Sequence, residues 1–419
     1  MKTIQSVRGM KDWFGPEAAS FQHTLKIIEQ LFSTYQFELI FLPIIEKTEL
    51  FARGIGDATD VVEKEMYTFL DRNEDSLSLR PEGTAGCVRA CLENGLIHNQ
   101  IRKFWYIGPM FRHERPQKGR YRQFYQVGVE IFGIASPDVE AETLLLLQQL
   151  WQKLGIAAHL RLEINTIGTL AERQAYRQRL YDYLLPFKAE LDEDSARRLE
   201  TNPLRIWDSK IPETQHILEK APHLIDCIGE NSRLHFENLQ TYLKALGIPF
   251  HINPKLVRGL DYYSHTVFEW TTELLGAQAT VCGGGRYDGL VAELGGQATP
   301  AFGFALGVER LLLLIEALKL PIPNHAPELY VMSTSGQETA ALVLAQTLRE
   351  NGFRVALNCG GGSPKSQFKR AEKSEALLAL SLQDSTVEIS FLRETRARES
   401  CPLTDLNAYL KGFFGRHHG

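Results

Sequence analysis

The stretch that decides the fold runs from Phe104 to Phe132. Its first arm reads Phe104-Trp105-Tyr106-Ile107-Gly108-Pro109-Met110-Phe111-Arg112, and its second Phe124-Tyr125-Gln126-Val127-Gly128-Val129-Glu130-Ile131-Phe132. Both arms are rich in aromatic and β-branched residues, and the polar, basic run from Glu114 to Gln123 joins them. This predicts a long antiparallel hairpin. In the second arm the two-residue period puts Gln126, Gly128 and Glu130 on one face and Tyr125, Val127, Val129 and Ile131 on the other. The apolar face packs. By pattern alone the polar face reads as solvated, but the small Gly128 between two hydrogen-bonding side chains leaves room for a ligand. From Arg102 to Arg122 seven cations stand against one acid, Glu114, in a chain of net charge −5. A local basic footprint of this kind fits a nucleic acid better than the net charge does. Arg112 closes the first arm, where its forked donors suit a phosphate. For Arg112 in isolation a surface arginine near an acid is an equal reading.

Outward from the hairpin, 419 residues with 44% hydrophobic and 23% charged content describe a globular chain of two to three domains. The most apolar run, 301–318, is interrupted by Glu309, Arg310 and Glu316, so it predicts a buried strand and helix rather than a membrane span. Arg8, Lys11, Asp12 and Glu17 leave no apolar core for a secretory signal, so the expected compartment is the cytoplasm. The six cysteines lack any C-x-x-C spacing, which points to free thiols and to neither zinc nor disulfides. Helical spacing covers 17–35. The β-rich run 37–45 contains Pro43 and so belongs at a sheet edge or bulge. A helix is expected over 82–93, another over 139–154, and a strand over 160–166. The charged, mixed-sign segment 170–246 is helical in pattern and predicts an all-α insertion as far as about Glu230. Strand patterning resumes at Phe250 and over 266–271. The run Cys282-Gly283-Gly284-Gly285 permits a close approach of backbone to a ligand, and more commonly marks a turn. Neither it nor Gly360-Gly361-Gly362 has the spacing of a P-loop. A strand over 301–305 feeds a helix over 306–318. Pro321, Pro323 and Pro327 then punctuate a linker, followed by strands at 329–333, 354–357 and 376–382 and helices at 338–349 and 365–373. That alternation predicts a small α/β domain.

Two further clusters stand out: Leu256-Val257-Arg258-Gly259-Leu260-Asp261-Tyr262-Tyr263 and Gly284-Gly285-Arg286-Tyr287-Asp288. With Arg80-Pro81-Glu82-Gly83-Thr84 upstream, Phe111-Arg112-His113-Glu114 closing the first arm, and Gly303-Phe304-Ala305-Leu306-Gly307-Val308-Glu309-Arg310 near the end, the chain resembles the class II aminoacyl-tRNA synthetases. Within them it resembles the histidyl-tRNA synthetases. The helix and strand ending at Pro43 match the class's first motif, the hairpin its second, and the stretch ending at Arg310 a looser form of its third. The clusters at 256–263 and 284–288 carry the resemblance to the histidine enzymes.

The resemblance implies an α+β fold. Residues 1–325 would be a class II catalytic domain, an antiparallel sheet flanked by helices, with the helical insertion at 170–230. Residues 327–419 would be an α/β anticodon-binding domain. It implies ATP-dependent ligation of histidine to tRNA(His) through an adenylate, in a cytoplasmic homodimer that touches no membrane, with Mg²⁺ on the ATP and no organic cofactor or protein-held metal. Residue by residue, it puts Arg112 and Arg258 on the α-phosphate as the catalytic pair. Arg112, Glu114 and Arg310 fall on ATP, with Arg310 stacked on adenine. Glu82, Thr84 and Gln126 fall on the α-amino group of histidine, Glu130 and Tyr263 on its two ring nitrogens, and Tyr262 on the pocket wall. Arg115 and Gln117 would touch the acceptor end of the tRNA, and Lys369 and Arg370 would serve its anticodon side. A rival reading is the regulatory subunit of histidine biosynthesis, which shares the catalytic fold and makes no adenylate. The presence of Arg112, Arg258, Glu309, Arg310 and the residues after 327 disfavours it.

Overall fold

The hairpin forms as two ten-residue strands, in register from Arg102 opposite Phe132 to Phe111 opposite Gln123. The computed structural model describes residues 3–56, 59, 61–322 and 326–417, and its chain divides into two compact units, Met1–Ile322 and Pro323–Gly419. Of the linker prolines, Pro323 lies outside the described residues. In chain order the strands of the first unit are β1 (Glu38–Leu39), β2 (Ile45–Lys47), β3 (Tyr67–Leu70), β4 (Ser76–Leu79), β5 (Arg102–Phe111), β6 (Gln123–Phe132), β7 (Arg161–Thr166), β8 (His251–Ile252), β9 (Ser264–Thr271), β10 (Thr280–Arg286) and β11 (Ala301–Gly307).

Eight of them make one sheet, in the order β1-β5-β6-β11-β10-β9-β7-β8. It is antiparallel throughout its centre, and only the short edge strands β1 and β8 pair parallel. The alternation read in β6 sorts the two faces. Val127, Val129 and Ile131 join Phe302, Phe304 and Leu306 of β11 in a core closed by the helices Gly15–Thr34, Asp138–Lys153, Glu230–Ala245 and Val308–Ala317. The opposite face carries the site and packs under the helix Thr84–Glu93.

Three expectations are corrected. The run 37–45 is not one strand: only Glu38–Leu39 pairs with the large sheet, and past Pro43 the chain crosses into a separate three-stranded sheet, β2-β4-β3. Proline cannot donate to a ladder, so the chain leaves the sheet there. The glycine run 283–285 is not a turn. It lies inside β10, between β9 and β11, where a Cβ on Gly284 would overlap the Phe304 backbone. In the second unit the alternation does not stop at residue 382. There β12 (Leu329–Met332), β13 (Val355–Leu357) and β14 (Leu378–Gln383) are joined by β15 (Thr386–Phe391) and β16 (Glu399–Pro402) in the order β13-β12-β14-β15-β16. The helix Leu406–His417 closes the chain.

Between Leu170 and Glu230 the chain is helical, with helices Leu170–Leu184, Glu193–Thr201 and Pro212–Leu218 linked by short turns. Thr169 and Glu172 form a reciprocal cap that starts the first of these. The next helix, Glu230–Ala245, returns to the sheet and buries Phe236, Leu239 and Leu243 in its core.

Candidate active site

The polar face of β6 is not solvated. Glu130 is 1% exposed and accepts three hydroxyl hydrogen bonds: from Thr84 at 2.8 Å and Tyr106 at 2.9 Å on Oε1, and from Tyr287 on Oε2. Thr84 opens the helix Thr84–Glu93, Tyr106 stands on the neighbouring strand β5, and Tyr287 follows β10 directly. Among the described residues no cation bonds the carboxylate. Burial pushes its pKa up to about 8, the three hydroxyls only partly opposing it. Glu82 sits beside this cluster, and its carboxylate accepts from the backbone N–H of Thr84 at 2.6 Å and of Ala85 at 2.9 Å. It thereby satisfies two of the free donors at that helix's start. Its own pKa is also raised by burial.

Gly128 makes room for Tyr106, not for a ligand directly. A Cβ at Gly128 or at Gly83 would lie within the Tyr106 ring, one at Gly303 would overlap the Glu130 carboxylate, and one at Gly283 would press on the Arg258 guanidinium. The pocket floor is cut to glycine so that long polar side chains can lie flat over it. Tyr106 and Tyr287 were not among the residues expected here. Tyr263, expected at the second ring nitrogen of histidine, stands against Arg258, whose guanidinium lies 5.6 Å over its ring, and against Tyr262 at 4.7 Å between ring centres. Tyr262 in turn meets Tyr287 edge-on at 5.7 Å. Arg286, in the same sequence cluster as Tyr287, turns away. It is fully buried and pairs with Glu140 at 2.6 Å, which also holds His235 at 2.8 Å.

Four residues toward the start of β6, Gln126 opens into a cleft of about 430 Å³. Its lining includes Arg112, Glu114, Arg120, Arg258, Glu309 and Arg310, with Gly283 and Gly307 on the sheet floor. The Gln126 side-chain oxygen is buried and without a hydrogen-bond partner among the described residues. Arg112 is anchored by its Nε to the Pro81 carbonyl at 2.9 Å and stacks over Phe124 at 5.5 Å. Arg258 pairs with Glu269, which also accepts from Thr280 at 2.7 Å. Burial opposes the charge of Arg258, but Glu269, Tyr263 and Tyr262 together outweigh it and hold the guanidinium above its usual value. Arg310 donates to the Thr280 carbonyl at 2.7 Å, and its pKa is lowered by burial and then by Arg120 and Arg112. A cleft whose cations depress one another is electrostatically poised for a polyanion. Glu309 accepts from the Tyr125 N–H at 2.9 and 3.1 Å, holding the strand end, and burial lifts its pKa to about 7.

The loop between the arms closes on itself, with Gln117 and Arg120 exchanging backbone hydrogen bonds at 2.9 and 3.0 Å. Glu114 pairs with Arg120. Arg115 and Gln117 are exposed and line a separate depression of about 520 Å³ with Lys64 and His113, beside the arginine cleft. In the second unit Arg370 is tied to Asn358 at 2.9 Å and to the Gly361 carbonyl, so in this structure it braces the glycine loop, while Lys369 is exposed.

Comparison with known proteins places the whole chain. The family described as histidyl-tRNA synthetase matches residues 9–311, and the family described as anticodon binding domain matches residues 324–412. The chain is 53% identical to the histidine–tRNA ligase of Hydrogenovibrio crunogenus over 418 residues, 98% of each chain. It is 52% identical to that of Marinomonas sp. over 419 residues, 98% of this chain and 99% of the other. Among solved structures it is similar to the crystal structure of apo histidyl-tRNA synthetase from S. aureus, at 33% identity and a TM-score of 0.81 over 98% of this chain and 100% of that one.

Proposed function

The chain belongs to the histidyl-tRNA synthetase family, and from that premise we propose how its residues divide the work of joining histidine to tRNA(His). The chemistry is general to the class. The amino acid's carboxylate attacks the α-phosphorus of ATP and pyrophosphate departs; the 3′-terminal ribose of the tRNA then takes the acyl group and AMP leaves.

The observation that carries the assignment is the layout of one strand face. On β6, Gln126 opens into the arginine cleft and Glu130 lies four residues on, about 13 Å along the strand. Histidine laid between them turns its carboxylate to the arginines and its ring to Glu130. Negative charge grows on the α-phosphoryl oxygens in the transition state, and cations already held in place stabilise it without reorganising. Arg112, fixed on the Pro81 carbonyl, and Arg258, fixed by Glu269, are such cations. Arg310 serves adenine, and Glu114 positions Arg120 at the cleft rim. Gln126, with its unpartnered oxygen, takes the α-amino group together with Glu82 and Thr84. Glu130 meets one ring nitrogen, Tyr263 takes the other and Tyr262 lines the wall. A site that pairs both ring nitrogens rejects analogues lacking either by roughly 10⁴-fold. Mg²⁺ enters with ATP, held by phosphate oxygens and water. Arg115 and Gln117, in the depression beside the cleft, receive the acceptor end of the tRNA.

The partner is a second copy of the chain. Leu39 on the short edge strand, Phe41 and Ile44 after it and Ile45 at the start of β2 are exposed, Phe41 to 79%, as are Phe69 and Leu70 of β3. Exposed large apolar side chains gathered in one short stretch of chain, 39–45, favour an interface. No helix among the described residues is long and apolar enough to cross a membrane, and we place the enzyme in the cytoplasm.

The test is histidine-dependent ATP–pyrophosphate exchange, run against all twenty amino acids. Exchange with histidine alone is expected. Arg258→Ala should lower the exchange rate on the order of 100-fold, the scale of losing one electrostatic stabiliser, while histidine binding stays within a few-fold. A pure binding defect would contradict the phosphate role.

A further inference from the structure

None of the residues that line the arginine cleft or bond Glu130 comes from the helical insertion, yet the insertion grips the loop that carries Arg258, Tyr262 and Tyr263. Arg173, on its first helix, donates through Nη1 to the Tyr263 carbonyl at 2.7 Å and through Nη2 to the Asp261 carbonyl at 2.8 Å. Arg205, in the turn Pro203–Asp208, donates to the Gly259 carbonyl. Three alternate carbonyls of one loop are thus held by two guanidinium groups from outside it. The loop lacks a ladder of its own: between Leu256 and Ser264 no strand forms, and Asp261 gains a backbone bond only from its N–H to Ile55, at 3.2 Å. The apolar contacts run the same way, since Tyr176, Leu199 and Trp207 of the insertion share one buried cluster with Tyr262, Tyr263 and Tyr287.

We propose that Arg173 is a positioning residue for histidine activation: its fork sets the loop's backbone, and through it the Arg258 guanidinium and the two tyrosines. The proposal rests on the assignment of that loop to histidine and the α-phosphate. A fork that bridges two carbonyls fixes both their separation and their plane, which a single-point donor cannot do. Next to the clamp lies a cavity of about 170 Å³, lined by Arg173, Arg205, Asp261 and Tyr263 among others, so a released loop has space to shift. A displacement of about 1 Å at a reacting group costs on the order of 100-fold.

The experiment uses the full chain and measures histidine-dependent pyrophosphate exchange for wild type, Arg173→Gln, Arg173→Lys and Arg205→Gln, at a temperature where circular dichroism shows each folded. For Arg173→Gln the expected result is a rise in KM for histidine together with a fall in kcat, lowering kcat/KM on the order of 100-fold while KM for ATP stays within threefold. Arg173→Lys should recover part of this by restoring one bond. Arg205→Gln, which cuts only the rim bond and keeps the proposal testable should Arg173→Gln fail to fold, should shift the same two constants less. A merely structural role would reduce the amount of active enzyme and leave KM for histidine unchanged, and that result overturns the proposal. So does Arg173→Gln, or Arg205→Gln in its place, matching wild type. A wild type without histidine-dependent exchange overturns the underlying assignment as well, so the two failures are told apart.

Discussion

A carboxylate with three hydroxyl donors and no bonded cation holds a proton across the neutral range. The pKa of Glu130 stands at about 8 in the folded protein against an ordinary value of 4.5. Between those values the folded state keeps the proton and the unfolded state releases it, so the contribution of Glu130 to stability is fully present below pH 4.5 and is lost as pH rises through 8. Glu130→Gln removes that titration. Its thermal midpoint relative to wild type should therefore climb from pH 5 to pH 8, measured by paired melts in matched buffers; parallel curves would show that Glu130 is ionised throughout. At this scale the sequence was readable where charge and spacing coincide. Arg112, Gln126 and Glu130 fall on the site because one sits at a strand end and two share a strand face. Tyr106 and Tyr287 were not readable, since an aromatic in a core-like strand pattern carries no sign that its hydroxyl meets a carboxylate. Tyr106 did leave a trace, for it pairs across the hairpin with Gly128, the one position on the polar face with no side chain.

Strands β6, β10 and β11 share a device: a glycine wherever a long polar side chain must lie against the sheet. Gly128→Ala should be far worse than its size suggests, because the added methyl would overlap the Tyr106 ring and strand backbone cannot retreat. Overpacking of this kind costs about 1–3 kcal/mol. It should also tilt Tyr106 off Glu130, raising KM for histidine by at least tenfold with KM for ATP unchanged; a fully active, equally stable variant would show that the ring has another place to go. The strand character of 280–286 was hidden for the same reason. Glycine has poor strand propensity, and a run of it reads as a turn unless the neighbouring strands are known to press close. Strands β15 and β16 are hidden for a different reason, although Thr386 to Phe391 does alternate: the Asp384-Ser385 turn before it is too short to signal a new strand. The helical insertion was legible because charged, mixed-sign helical periodicity contrasts with the β-rich segments on either side.

At the scale of the whole chain, two units with separate cores were announced by a change of pattern near residue 325, from an antiparallel sheet with helices to alternating strand and helix. The proposed pairing of two copies has a direct check. Phe41→Glu places a charge in the exposed apolar edge, and sedimentation should move from a dimer in wild type to a monomer in the variant; a wild-type monomer would refute the pairing. The glycine-cut floor of the pocket has a consequence for anyone who wants the enzyme to accept another amino acid. Gly128, Gly283 and Gly303 are already the smallest residues available, so nothing more can be carved from that side. On the side of the carboxylate, added volume must come from trimming Tyr106 or Tyr287, and each of those is also a donor to it. Widening the pocket and stranding Glu130 are therefore one and the same substitution, and a redesign that exchanges the tyrosine without exchanging Glu130 with it should yield an unstable protein before it yields a new specificity.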